Sequence, residues 1–221
     1  QRHALEALNV AASLYAAQTS LSEKIHLTAV GQITMTSEDP WAAVVKEAEA
    51  GQADPDSVVR AFLDWSADAQ NVNGIRSDNR VVLTGRSFPN ETNGIAPLNG
   101  MCHEAHSGSA CVCDGNRTQT FCGLIMAHEL GHNFGMYHDS DGNACPGQGF
   151  IMGAAGDGSA TLFSPCSADY LDTWFETVYS INGACLGPVD DADSAIMSAA
   201  HLRSANVASI FPLLMLAALR G

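Results

Sequence analysis

The spacing of apolar residues divides the chain into alternating helical and extended stretches. Residues 4–18 place Leu5, Leu8, Ala12 and Tyr15 at helical intervals and predict an amphipathic helix. From Lys24 to Met35, Ile25, Leu27, Ala29 and Ile33 fall in a rough alternation, the pattern of a strand. Asp39-Pro40 offers an N-cap followed by a proline at the first helical position, and Gly51 closes a short helix. Asp54-Pro55 repeats the start signal, and Val58, Val59, Phe62, Leu63 and Ala69 mark a second helix. Residues 78–100 read as two strands around a turn-rich loop, and residues 102–122 as a Gly/Ser-rich insert. Thr118 to Asn133 is a helix with Leu124, Ile125, Ala127 and Leu130 on its apolar side. A last helix begins at Ser167 as its N-cap and buries Tyr170, Leu171, Trp174, Phe175 and Val178. Pro188 stops this pattern. Beyond it come an acidic linker, Asp190-Asp191-Ala192-Asp193, and an apolar run from Val207 to Leu219.

Composition narrows the picture. A chain of 221 residues, 46% hydrophobic and 15% charged, can bury one good core with or without a tail. A net charge of −14 argues against nucleic acid and against anionic membrane surfaces. The start, Gln1-Arg2-His3, leads straight into a helical pattern and reads as a fragment or a processed form. Seven cysteines favour an oxidising compartment, and the sequons at Asn90 and Asn116 are compatible with secretion. No run is long enough to span a bilayer as a clear helix.

The chemistry is concentrated in residues 128–139, His-Glu-Leu-Gly-His-Asn-Phe-Gly-Met-Tyr-His-Asp. Four residues is just over one helical turn, so His128 and His132 share a helix face. Gly135 can take the left-handed conformation that ends a helix, so the chain can turn back and offer His138 as a third nitrogen. Three histidines leave a fourth tetrahedral position for water, the open site of a catalytic zinc. Glu129 sits one step round the helix, within reach of that water. This reading makes His128, His132 and His138 the metal ligands and Glu129 the general base.

These residues, in the form H-E-x-x-H-x-x-G-x-x-H-D, resemble those of the metzincin zinc endopeptidases. Asp139 is similar to the adamalysin (reprolysin) branch, which includes the ADAM and ADAMTS proteases. Asp78 to Gly85, Gly94 to Cys102 and the ending from Phe163 to Leu186 also resemble segments of that family. The resemblance implies an α/β (α+β) fold. Its parts are a mixed twisted sheet with long helices, an active-site helix, and a small irregular C-terminal subdomain with a Met-turn at Met152. It places the catalytic domain at 1–187, split at residue 135 into N- and C-terminal subdomains. Residues 188–221 are then a linker and apolar tail. The family's first strand has no counterpart, which leaves the sheet one member short. In the family the second segment receives the substrate backbone, so Ile95 to Leu98 are expected to line the cleft. Cys102 would pair with Cys185, and Cys145 with Cys166. Cys111, Cys113 and Cys122 stay unassigned. No calcium, or only a weak site at Asp78, is expected.

The insert invites one more reading. Cys102, Cys111, Cys113 and Cys122, with His103, Glu104 and His106, have the makings of a second metal site, though a disulfide-stapled surface loop explains them more simply. The function expected is that of a zinc endopeptidase hydrolysing internal peptide bonds of extracellular or cell-surface proteins through a zinc-bound water. It needs one zinc, takes protein or peptide substrates, and is expected to act as a monomer. The alternative is an inert binding or adhesion module on the same scaffold. The tail reads as a GPI-type signal that would tether the chain to a membrane, a loosely ordered amphipathic tail or the stub of a truncated chain.

Overall fold

The computed structural model of the chain describes residues 2–35, 38–48, 51–154, 158–188 and the backbone of 211–220. The elements are α1 (Arg2–Ala16), β1 (Ile25–Met35), α2 (Pro55–Ala67), β2 (Asn79–Thr84), β3 (Gly94–Ile95), β4 (Gly108–Val112), α3 (Gln119–Asn133), α4 (Pro165–Thr177), β5 (Gly187–Pro188) and β6 (Phe211–Arg220). The path through the sheet is β1-β6-β2-β4-β3. β2 and β4 run parallel, β3 pairs antiparallel with β4 and forms the edge, and β6 runs antiparallel to both β1 and β2.

The sheet is covered on both faces. Val81, Leu83 and Cys111 join a core with α1, α3 and α4, while Val82, Ala110 and Val112 join a second core with Val58, Val59, Phe62 and Leu63 of α2. Successive residues therefore serve opposite layers, and β2 and β4 are buried at every position. A bulge between Ala29 and Gly31 explains why the alternation in β1 is only rough. Ile25 and Leu27 face the α1/α3 core, whereas Ile33 and Met35, past the bulge, face α2.

α1 lies against α3 on Ala4, Ala7, Leu8, Ala11 and Tyr15, and the Tyr15 hydroxyl donates to the Ala127 carbonyl at 3.1 Å. α2 begins as its sequence demands, with Asp54 accepting from Ser57 N and Pro55 in the first turn. α4 is capped by Ser164 rather than Ser167, since Pro165 takes the first helical position and Ser164 accepts from Ser167 N. The start signal at Asp39-Pro40 yields only one 3₁₀ turn, Ala42–Val44. The chain then bends into a bridge between Glu47 and Ala53.

Two segments depart from the sequence reading. The insert 102–122 contains β4, a buried strand next to β2. Its small residues, Gly-Ser-Ala-Cys-Val, show no alternation because both faces are covered. The apolar run counted as a tail also enters the sheet: Phe211–Arg220 pairs from Ile25↔Arg220 to Met35↔Phe211 on one side and from Asn79↔Leu216 to Val82↔Leu213 on the other. The sheet expected to be one strand short thus gains a strand from the C-terminal end, where two rows of backbone donors and acceptors would otherwise stand unpaired. Residues 189–210, with the acidic linker, lie outside the described residues. Among those described, no helix is long and apolar enough to cross a membrane.

Candidate metal centre

α3 starts where Thr118 accepts from Phe121 N and then runs through the interior, buried on nearly every side. Its His128 and His132 rings face each other edge-on with centroids 4.8 Å apart. The helix ends at Gly135, whose φ of 81° is the left-handed conformation expected there. Met136 N then reaches back to Gly131 O at 2.9 Å, and the chain reverses to present His138.

The three rings converge through one type of atom. His138 Nε2 lies 3.1 Å from His128 Nε2 and 3.1 Å from His132 Nε2. The other nitrogens of two rings are committed elsewhere: His128 Nδ1 donates to Ile151 O and His132 Nδ1 to Met136 O, each at 2.7 Å. With Nδ1 carrying the proton, the Nε2 atoms of these two rings point bare lone pairs into one space, which repel unless a cation sits among them. Four-coordinate zinc with Zn–N bonds of about 2.0–2.1 Å needs ligand nitrogens about 3.3 Å apart, close to what is seen. The donor set fits the metal.

Electrostatics agrees. Burial, and the neighbouring His132, push His128 down from 6.5 to about 3. Burial, and the neighbouring His138, push His132 down to about 4. Burial likewise lowers His138. All three are neutral at physiological pH, the form that binds metal. Glu129 is 4% exposed, and burial raises its carboxyl from 4.5 to about 8. Its Oε2 is a buried atom with no hydrogen-bond partner among the described residues. A buried carboxyl with an unpartnered oxygen beside these lone pairs is a poor arrangement in isolation and a good one around a cation and water.

The surroundings hold this set in place. Met152 is fully buried against α3, and a Cβ added at Gly131 would come within 2.5 Å of its sulfur. Asp139 N donates to Met152 O at 2.9 Å, and Ser164 Oγ donates to Asp139 Oδ1 at 2.5 Å. The residue after the third histidine therefore ties the Met152 turn to the cap of α4. Cys102–Cys185 and Cys145–Cys166 are bonded as the resemblance implied, and the third bridge is Cys113–Cys122. Cys111 is free and buried. With three of its sulfurs in bridges, the insert offers no second metal site among the described residues; His103 and His106 stack at 4.4 Å without a third ligand.

A cavity of about 280 Å³ opens beside the histidines, lined among others by Gly94, Ile95, Ala96, Ile125, Glu129 and Gly153. Ile95 and Ala96 line it as expected, while Pro97 and Leu98 do not. Gly94 lies so close to Glu129 that a Cβ there would strike the carboxylate, a contact the spacing of the sequence does not reveal. Nor does it reveal Asn133, fully buried and bonded to three segments; a lone amide at the end of an apolar helix was the only signal.

Residues 17–188 match the family described as Reprolysin (M12B) family zinc metalloprotease. The chain is 33% identical over 188 residues to human "A disintegrin and metalloproteinase with thrombospondin motifs 16", covering 81% of this chain and 14% of that protein. It is 32% identical over 167 residues to human "Disintegrin and metalloproteinase domain-containing protein 33", covering 72% of this chain and 19% of that one. The chain thus spans only a small part of these relatives. A chain in a solved structure of a chaperone-substrate complex shares the fold, with a TM-score of 0.53 at 18% identity, over 80% of this chain and 30% of that one.

Proposed function

Because the chain belongs to the reprolysin (M12B) family of zinc metalloproteases, we propose that it is an active endopeptidase that hydrolyses internal bonds of extracellular or cell-surface proteins. The observation that carries this reading is the buried Glu129 carboxyl, whose Oε2 has no hydrogen-bond partner among the described residues, set beside three converging imidazole nitrogens. His128, His132 and His138 hold the metal through Nε2. A bound zinc would supply a Lewis acid that makes coordinated water a nucleophile near neutral pH and polarises the scissile carbonyl. Glu129 takes a proton from the attacking water and delivers it to the leaving amine. Its dry surroundings raise its basicity toward the range such a base needs, and a nearby cation offsets part of that rise.

The substrate backbone lies along β3. Among the described residues this strand has a partner on one side only, β4, so its other row of donors and acceptors is open to an extended peptide. Residues 1–135 and 136–187 are the two subdomains flanking the cleft. Three disulfides support an oxidising, extracellular setting. The pairing of β6 on both sides favours a monomer that does not use this run as a membrane tether. An inert adhesion module would call for a broken ligand set or a missing base, and here all four residues are intact. Casein or a quenched peptide, assayed with and without a metal chelator, tests the reading. Chelator-sensitive cleavage is expected, and a folded, zinc-loaded chain that cleaves neither would leave the adhesion module standing.

A further inference from the structure

Asn133 follows the second histidine and ends α3. It is fully buried, and its side chain uses both ends of its amide. Nδ2 donates to Pro97 O at 2.9 Å and to Gly108 O at 3.2 Å, while Oδ1 accepts from Asn79 Nδ2 at 2.6 Å. One amide thus joins the end of the metal-bearing helix to the peptide-receiving segment, to the start of β4 and to the start of β2. The two carbonyls, which only accept, set which end of the Asn133 amide faces them, and Asn79 supplies the donor that its Oδ1 then needs.

The receiving segment needs such a hold. Its ladder to β4 comprises only Gly94↔Cys111 and Ile95↔Ala110. Pro97 has no N–H to extend it. Past Ile95 the segment is fixed to α3 instead: Asn99 N donates to His132 O and Met101 N to Asn133 O, each at 3.0 Å, and the Asn133 amide holds Pro97. If residues 94–98 receive the peptide, as proposed above, the spacing between peptide and metal is set by this joint.

We propose that Asn133 is a positioning residue that fixes the peptide-receiving edge at its working distance from the three histidines. It touches neither metal nor substrate. Its removal shifts the edge while His128 and His132, held by the Ile151 and Met136 carbonyls, stay in place.

The test compares two inhibitors on the full chain loaded with zinc. Acetohydroxamate reaches only the metal; a hydroxamate on an extended tetrapeptide also needs the edge. Asn133→Ala should keep one zinc per chain and bind acetohydroxamate within about threefold of the wild type. It should lose about 10- to 100-fold in affinity for the peptide hydroxamate, the scale of a misplacement near 1 Å. Asn79→Ala, which removes the donor to Asn133 Oδ1, should show the same pattern with a smaller loss, and it carries the test where Asn133→Ala does not fold. An unchanged ratio of the two affinities in both variants overturns the proposal. Loss of zinc or of folding in both overturns it too, since the amide would then merely hold the core. A wild type that binds zinc and both hydroxamates yet cleaves nothing would sink the enzyme reading alone, because neither affinity depends on turnover.

Discussion

On α3, His128 and His132 reach their places through four residues of helix, and each ring is held by a backbone carbonyl, Ile151 O and Met136 O. Across the cleft, the receiving segment has a ladder of only two residue pairs. From Pro97 to Met101 it is held by two main-chain bonds to α3, Asn99 N on His132 O and Met101 N on Asn133 O, and by amide side chains from elsewhere: Asn133 on Pro97 O, and Asn182 on the Asn99 and Met101 carbonyls at 2.7 and 2.9 Å. The metal side of the cleft is thus built from local periodicity and main chain. The peptide side adds to its main-chain bonds a set of side chains remote in sequence, any of which one substitution can remove. Damage on the first side should appear as lost metal or lost chemistry, and damage on the second as lost peptide affinity with the metal retained.

The largest effect belongs to His132→Ala. It removes one of three ligands and should abolish both tight zinc binding and cleavage, measured by metal analysis of the dialysed protein. Stoichiometric tight zinc in that variant would show the ligand set to be wrong. Glu129→Ala should keep zinc and fold yet lose about 10²- to 10⁴-fold in kcat, the range for a positioned general base. Full turnover would remove Glu129 from the chemistry.

The histidines also set a pH dependence. Folding lowers His128 to about 3 and His132 to about 4 from 6.5, so the unfolded chain takes up protons first as pH falls. The metal-free chain should therefore hold this part of its stability above about pH 6.5 and lose it progressively toward about pH 3. Glu129, raised from 4.5 to about 8, works in the opposite sense over the same range, so melting temperature against pH is read in Glu129→Ala, where a flat profile would contradict the loss. Cleavage should decline below about pH 6 as protons compete with zinc for the rings.

The smallest effect expected lies where the two sides meet. Gly94→Ala drives a methyl into the Glu129 carboxylate and should lower kcat by about tenfold with zinc content unchanged. Unaltered kinetics would mean that the edge yields at no cost.

Much of the metal side was legible in the residues. The i, i+4 histidines, the glycine that lets the chain reverse and the third histidine after it are short-range features, and helix geometry converts them directly into a converging set. The same holds for α2, where Asp54, Pro55 and an apolar stripe act within one or two turns. Asp39-Pro40 carried the same start signal and gave only a 3₁₀ turn, because the chain after it bridges Glu47 to Ala53 and closes a loop instead. Ser167 and Ser164 both precede the apolar stripe of α4, and the proline between them settles the cap only once the helix is built.

What remained hidden shares one physical origin. β4 has no alternation to read because α2 covers one face and α3 the other, and burial on two sides erases the period that a half-exposed strand would display. An apolar run such as 207–219 is equally suited to a membrane, a loose tail or a strand. The identity of residues 211–220 as β6 was decided by two open rows of backbone groups on β1 and β2, which no local pattern announces. The role of Asn133 was settled in the same way, by which carbonyls the folded chain brought to its amide. Residues near one another along the backbone dictated the metal ligands; partners tens of residues apart dictated the sheet and the edge that faces those ligands.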